Sequence, residues 1–162
     1  DRIDDLVSET LTLARQGQVV AQPTAIDLDA VVSTCWATVS IADAELNCDT
    51  GLTIMGDRSR LQHIFENLFR NAIEHGGSDV TVRVAQRDPN AFYVENTGPP
   101  IPESDRESVF EPGYTSTREG TGFGLAIVNR IAEAHGWEVG VTEGTDGGAR
   151  FVFTGVDIRE RS

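Results

Sequence analysis

Between residues 61 and 73 apolar side chains recur at Leu61, Ile64, Phe65, Leu68, Phe69, Ala72 and Ile73, offsets of 0, 3, 4, 7, 8, 11 and 12. That spacing lays one apolar stripe along a helix of 3.6 residues per turn and predicts a long amphipathic helix. Asp57 stands where a carboxylate can accept from the free N–H groups of the first turn, and Gly76-Gly77 supplies the stop. Further helices are expected at about Leu28–Val39 and Leu125–His135, the latter burying Leu125, Val128, Ile131 and Ala132. Val80, Val82 and Val84 alternate with polar residues as a half-buried strand does. Strands are expected at Ala44–Cys48, Leu52–Met55, Val80–Gln86, Ala91–Glu95, Glu138–Thr142 and Ala149–Val156, with a short helix at Asp105–Phe110.

Residues 1–17 carry Ile3, Leu6, Val7, Leu11, Leu13 and Ala14 in a wide helical stripe. A single helix of that length is marginal alone, so the stripe calls for a partner helix or a second copy. Residues 18–27, with a proline, read as a linker, and residues 28–156 as one folded unit followed by a tail at 157–162. Helix, then β-β-helix repeated and a closing β-β, with strands joined by hairpins, predicts an α+β fold: a two-layer α/β sandwich with a mixed sheet packed on helices.

Composition narrows the chemistry. The 162 residues hold 13 basic side chains, all arginine, against 26 acidic ones, a net charge of −13. With no lysine there is no Walker A loop and no Schiff-base nitrogen. The acidity opposes binding to nucleic acid or anionic lipid. It suits either a basic protein partner or a surface adapted to high salt, and the scatter of the acids favours the second. Two cysteines, Cys35 and Cys48, make neither a disulfide framework nor a four-ligand zinc site, consistent with a reducing, cytoplasmic setting. The longest apolar runs are four residues, as at Ala91–Val94, too short for a membrane span.

Three places could carry chemistry. Asn67 and Asn71 lie one turn apart on the long helix; they either face solvent or offer amide oxygens to a hard cation such as Mg²⁺ shared with phosphates. The loop Asn96-Thr97-Gly98-Pro99-Pro100-Ile101 leaves a strand end, where Asn96 could meet an adenine edge and Gly98 would let the backbone approach a flat ligand. Gly120-Thr121-Gly122-Phe123-Gly124-Leu125 runs into a helix, whose N-terminal N–H groups favour phosphate.

In this order, Asn67-Leu-Phe-Arg-Asn71-Ala, Asn96-Thr-Gly-Pro-Pro-Ile-Pro, Val109-Phe110-Glu111-Pro112-Gly113-Tyr114-Thr115-Ser116 and Gly120-Thr-Gly-Phe-Gly-Leu resemble the N, first glycine, F and second glycine boxes of sensor histidine kinases. Gly147-Gly148-Ala149-Arg150-Phe151 is similar to the closing strand of that ATP-binding domain. The resemblance implies the Bergerat fold, with ATP and Mg²⁺ as cofactors. It implies Asn71 as metal ligand, Asn67 at the phosphates and His75 near the nucleotide. Asn96, Gly98 and Ile101 would be at the base, and Tyr114, Thr115, Arg118, Gly120, Thr121, Gly122, Gly124 and Leu125 in or beside the lid over the nucleotide. Residues 1–17 would end the second helix of a dimerisation and phosphoacceptor hairpin, giving a homodimer upstream of a response regulator.

The sequence departs from the family at two informative positions. Asparagine replaces the usual aspartate at position 96, and Glu74 replaces a Lys or Arg three residues after the metal asparagine, so Arg118 or Arg70 is expected to supply the cation. None of His63, His75 and His135 sits in a phosphoacceptor context; His63 and His135 read as structural.

Overall fold

The structure is a computed structural model describing residues 23–39, 43–76, 79–98, 100–106, 108–110, 124–144 and 147–160, the side chains of 75, 76 and 160 excepted. The expected N-terminal helix over 1–17 lies outside the described residues. In chain order the elements are β1 (Thr24–Asp27), α1 (Leu28–Val39), β2 (Glu45–Cys48), β3 (Leu52–Gly56), α2 (Arg58–Gly76), β4 (Thr81–Asp88) and β5 (Ala91–Asn96). Two single 3₁₀ turns (Glu103–Asp105, Ser108–Phe110) precede α3 (Gly124–Ala134), β6 (Glu138–Glu143), β7 (Ala149–Thr154) and β8 (Ile158–Glu160).

One sheet has the order β2-β4-β5-β7-β6, with β2 parallel to β4 and every other pair antiparallel. This is the expected mixed sheet packed on helices. Phe92 and Val94 of β5 and Phe151 and Phe153 of β7 meet the helical layer through Phe65 and Phe69 of α2. Phe92 stacks on Phe153 at 4.8 Å, and Trp137 stands edge-on to Phe92. Fully burying a side chain of this size contributes about 1.5–3 kcal/mol. These aromatics therefore tie β5 and β7, whose ends carry the candidate loops, to α2.

The second sheet, β1-β3-β8, corrects two boundaries. Thr24–Asp27, read as linker, pairs antiparallel with β3 and buries Ile26 opposite Ile54. Ile158–Glu160, read as tail, pairs with the other edge of β3, and Val156 is buried just before it. The folded unit thus extends beyond 28–156 at both ends, because β3 has two open edges to satisfy.

β2 and β3 do not form a hairpin. Asp29, in the first turn of α1, takes the N–H groups of Thr50 and Gly51 at 3.0–3.2 Å and the Thr50 hydroxyl at 2.6 Å. The N–H groups that could start a ladder are thereby spent on a carboxylate, and Gly51 turns the chain at φ +66° into the other sheet. Burial pushes the Asp29 carboxyl up, but the Thr50 hydroxyl, the Gly51 and Thr50 amides and the Cys48 thiol together outweigh it and hold the pKa at about 2. Burial, then the bond to Asp29, pushes the Cys48 thiol upward, so it stays protonated and donates at 3.2 Å. Burial raises Cys35 to about 11, so both cysteines are structural thiols.

The expected helix at Asp105–Phe110 is instead the pair of 3₁₀ turns. Asp105 N–H closes on the Pro102 carbonyl at 2.9 Å, and the Arg106 guanidinium reaches the Ile101 carbonyl at 3.3 Å. The backbone closures, Asp105 N–H on Pro102 and Arg106 N–H on the Glu103 carbonyl at 3.4 Å, are i→i+3 and use the groups an α-helical turn would need.

Candidate functional site

Asp57 caps α2 as the sequence predicts, its Oδ1 accepting from Arg60 N–H at 3.1 Å. A second contact at this end was not legible. His135, at the C-terminal end of α3, accepts the Asp57 N–H on Nε2 at 3.0 Å and donates from Nδ1 to the Ile131 carbonyl at 2.8 Å. The imidazole also stacks on Trp137 at 4.3 Å, and a Cβ at Gly56 would collide with the ring, 2.8 Å from Nε2. Burial is the main cause holding the His135 pKa below 6.5, with Arg60 acting the same way against the Ile131 bond and Asp57. His135 is structural, as expected.

Ten residues further along α2, Asn67 donates Nδ2–H to the His63 carbonyl at 2.7 Å. That bond fixes the rotamer and leaves Oδ1 facing the start of α3, 3.2 Å from where a Cβ on Gly124 would stand. A Cβ on Gly124 would press on the amide oxygen of Asn67, which thus lies beside a helix N-terminus, where free N–H groups and the helix dipole favour anions. Asn71 is half-buried on the next turn and Glu74 is exposed. Leu125 is buried under α3.

Asn96 ends β5 on the face that buries Phe92 and Val94, because alternate residues share a face. Its Oδ1 accepts the Gly98 N–H at 2.9 Å, closing an Asx turn. Thr97 is tied to Thr81 at the start of β4 by two bonds, Thr97 N–H to the Thr81 carbonyl at 3.1 Å and Thr81 N–H to Thr97 Oγ1 at 3.0 Å. Behind the turn, Gly148 is so close that a Cβ there would run into the Asn96 carbonyl oxygen and stand 3.0 Å from that of Gly98. Ile101 packs partly buried on the core, and Phe110 stands edge-on to Phe151 at 6.3 Å.

Connectivity brings these pieces to one end of the sandwich. Four residues join α2, after Asn71, to β4, and the start of β4 holds the Asn96–Gly98 turn. Asn71 and the Asn96–Gly98 turn are thus toward the same end of the sandwich, and Asn67 is beside Gly124. The side chain of His75 and residues Tyr114, Thr115, Arg118, Gly120, Thr121 and Gly122 lie outside the described residues. On the opposite face of β5, Glu95 is buried and takes Nε and Nη2 of Arg150 on one oxygen at 3.1 and 3.0 Å, while that guanidinium lies 4.2 Å over the Tyr93 ring. Sequence reasoning missed this cross-strand pair, as it missed the Gly148 wall.

Among the described residues no cluster of three or more His, Cys, Asp or Glu could hold a metal by itself. The donor chemistry here is amide oxygen beside a helix N-terminus, which suits a hard cation shared with phosphate oxygens. No helix among the described residues is long and apolar enough to cross a membrane.

A mixed five-stranded sheet packed on helices defines a two-layer α/β sandwich. Residues 56–158 match the family described as histidine kinase-, DNA gyrase B- and HSP90-like ATPase, and the chain belongs to that family. The sensor histidine kinase ZraS of Escherichia coli O157:H7 is 31% identical over 166 residues, covering 94% of this chain and 35% of that protein. The mycobacterial sensor histidine kinase MprB superposes with a TM-score of 0.72 at 26% identity, over 81% of this chain and 95% of that one. Full-length ShkA, solved in complex with AMPPNP, gives 0.72 at 28% identity, over 92% of this chain and 34% of that one. The chain spans about a third of the length of the curated relatives it matches. Within the family its kinship is with the ATP-binding catalytic part of histidine kinases.

Proposed function

We propose that this chain binds Mg²⁺–ATP and presents the γ-phosphate to a histidine on a separate helical hairpin, as the catalytic part of a two-component kinase. The observation that supports the reading is the Asn67 amide oxygen lying beside Gly124 at the N-terminus of α3. The N–H groups of α3 hold phosphate oxygens, Asn67 and Asn71 set the phosphate chain against α2, and Asn96, Gly98 and Ile101 take the base. Asn71 would hold Mg²⁺, with Asn67 facing the phosphates; the ion supplies charge neutralisation on them when bound. In the transfer an imidazole nitrogen gives its lone pair to the γ-phosphorus, and the bond to the bridging oxygen breaks with its electrons leaving on ADP.

Hydrolysis is disfavoured by the same helix. An oriented water needs a carboxylate one turn before Asn71, and that position is Asn67, whose amide is already bonded to His63. Arg118 or Arg70 is proposed as the cation that Glu74 does not provide. Residues 1–17 are proposed as part of the dimerising hairpin of a homodimer, with a response regulator downstream and this domain in the cytoplasm. The arginine-only basic set and the charge of −13 are read as adaptation to high salt.

The test titrates Mg²⁺–ATP into the wild type and Asn71→Ala, in low and in multimolar KCl. Loss of a metal ligand should weaken binding at least about tenfold. Phosphate should then move to an added histidine-bearing hairpin. Release of inorganic phosphate without an acceptor would favour a hydrolase, and no binding in any salt would favour an interaction module.

A further inference from the structure

We infer that Asn96 makes the base pocket accept 6-oxo purine nucleotides alongside ATP, because it presents one acceptor and one donor where a carboxylate would present acceptors alone. The inference rests on the base-reading role proposed for this residue. Its physical basis is the orientation of the carboxamide. A backbone N–H can only donate, so the atom 2.9 Å from Gly98 N is the side-chain oxygen and the other atom is Nδ2. Flipping the amide would set two donors against each other.

The orientation is held from several sides. Asn96 is at the end of a paired strand opposite Val82, Thr97 is bonded twice to Thr81, and Gly148 backs the Asn96 carbonyl. Among the described residues Nδ2 of Asn96 has no hydrogen-bond partner, and the residue is half-buried.

The two purine types differ at the edge this group would meet. Adenine offers an exocyclic amine, a donor, beside the N1 acceptor. A 6-oxo purine offers O6, an acceptor, beside an N1–H donor. The spare lone pair of Oδ1 can serve the first, and the Nδ2–H groups can serve O6 of the second. An aspartate in this place would keep the Gly98 bond through one oxygen and turn the other, negatively charged, against O6. Discrimination by such a repulsive element is strong, whereas an amide lacks it.

The test compares ATP with ITP, which carries the 6-oxo edge without a further amino group, by calorimetric titration of the full chain with Mg²⁺. For the wild type the two dissociation constants should agree within about tenfold. In Asn96→Asp, which preserves the acceptor for Gly98, the preference for ATP should rise by at least about tenfold, mainly through loss of ITP. The wild-type comparison is decisive without any variant. A wild type that already rejects ITP by a hundredfold or more, on the order of a site built around acceptors alone, overturns the inference while leaving the nucleotide reading intact. An unchanged ratio in Asn96→Asp overturns it equally. Binding of neither nucleotide overturns the base-reading role itself.

Discussion

Gly148→Ala tests whether the turn bearing Asn96 is positioned by a glycine wall. Gly148 is buried, and its φ is not positive, so alanine meets no backbone penalty of its own there. The whole cost is steric. The new methyl would overlap the Asn96 carbonyl oxygen and stand 2.9 Å from its carbonyl carbon and 3.0 Å from the Gly98 oxygen. All three are backbone atoms of a turn pinned to β4, so they cannot rotate aside as a side chain would. Overpacking of this kind costs roughly 1–3 kcal/mol, and the rigidity of the turn puts the expected value at about 2–3. For a domain of this size that lowers Tm by about 5–10 °C in a thermal melt followed by circular dichroism. The neighbouring Gly147 is the control, since it has φ +86° and open space around its Cβ direction. Gly147→Ala should cost only about 1 kcal/mol, for backbone conformation. On the proposed base-reading role of the Asn96 turn, nucleotide affinity should fall at least about tenfold in Gly148→Ala, since displacing that turn by even a fraction of an ångström is enough to lose a hydrogen bond. A Tm for Gly148→Ala within about 1 °C of the wild type, or a loss no larger than that of Gly147→Ala, would refute the steric argument.

Three further outcomes follow from the scaffold. His135 has a depressed pKa in the folded protein, so the stability it contributes is present above the unfolded value of about 6.5 and is lost as pH falls from there toward its folded value; urea midpoints from pH 7.5 to 5 should drop more in the wild type than in His135→Gln. Asp29 also has a depressed value, about 2 against 3.8, so its contribution is present above pH 4 and lost between about 4 and 2. Asp29→Ala should cost about 1–3 kcal/mol at pH 7 by leaving the Thr50 and Gly51 amides without their acceptor, read as a shift in urea midpoint. Deleting residues 157–162 removes β8 and uncovers one edge of β3, and should lower Tm by several degrees, roughly what 1–2 kcal/mol produces.

How much of this was legible depended on whether the signal was local. α2 was readable because its stripe repeats over thirteen residues and its cap lies beside it in the chain. The Asn96 loop was readable as an extended motif, since its glycine and prolines stand within a few residues. The four-residue β1 and three-residue β8 were read as linker and tail because so short a segment takes its strand character from a partner, here β3, far away in sequence. The parallel pairing of β2 was hidden for the same reason: Asp29, which diverts the chain, is twenty-one residues from Thr50. At the candidate site the sequence offered candidate side chains but not the contacts that support them. Nothing near Asn67 in the sequence announces Gly124, and nothing near Asp57 announces His135, seventy-eight residues on.

The small sheet has a mechanical consequence. β1 and β8 both run antiparallel to β3, one on each edge, so they are parallel to each other. Thr24, where the chain enters, faces Gly56 at one end of β3, while Glu160, where it leaves, faces Leu52 at the other. Tension applied through the two ends therefore pulls β1 and β8 in opposite directions along the strand axis. The ladder bonds on either side of β3 are loaded together in shear instead of opening one after another. Force-extension measurements gripping residues 24 and 160 should find a higher rupture force than gripping the two arms of the β6–β7 hairpin, which would unzip. The five-residue β3 works as a splint through which a pull from either neighbour crosses the domain without first prying apart the sheet that carries Asn96.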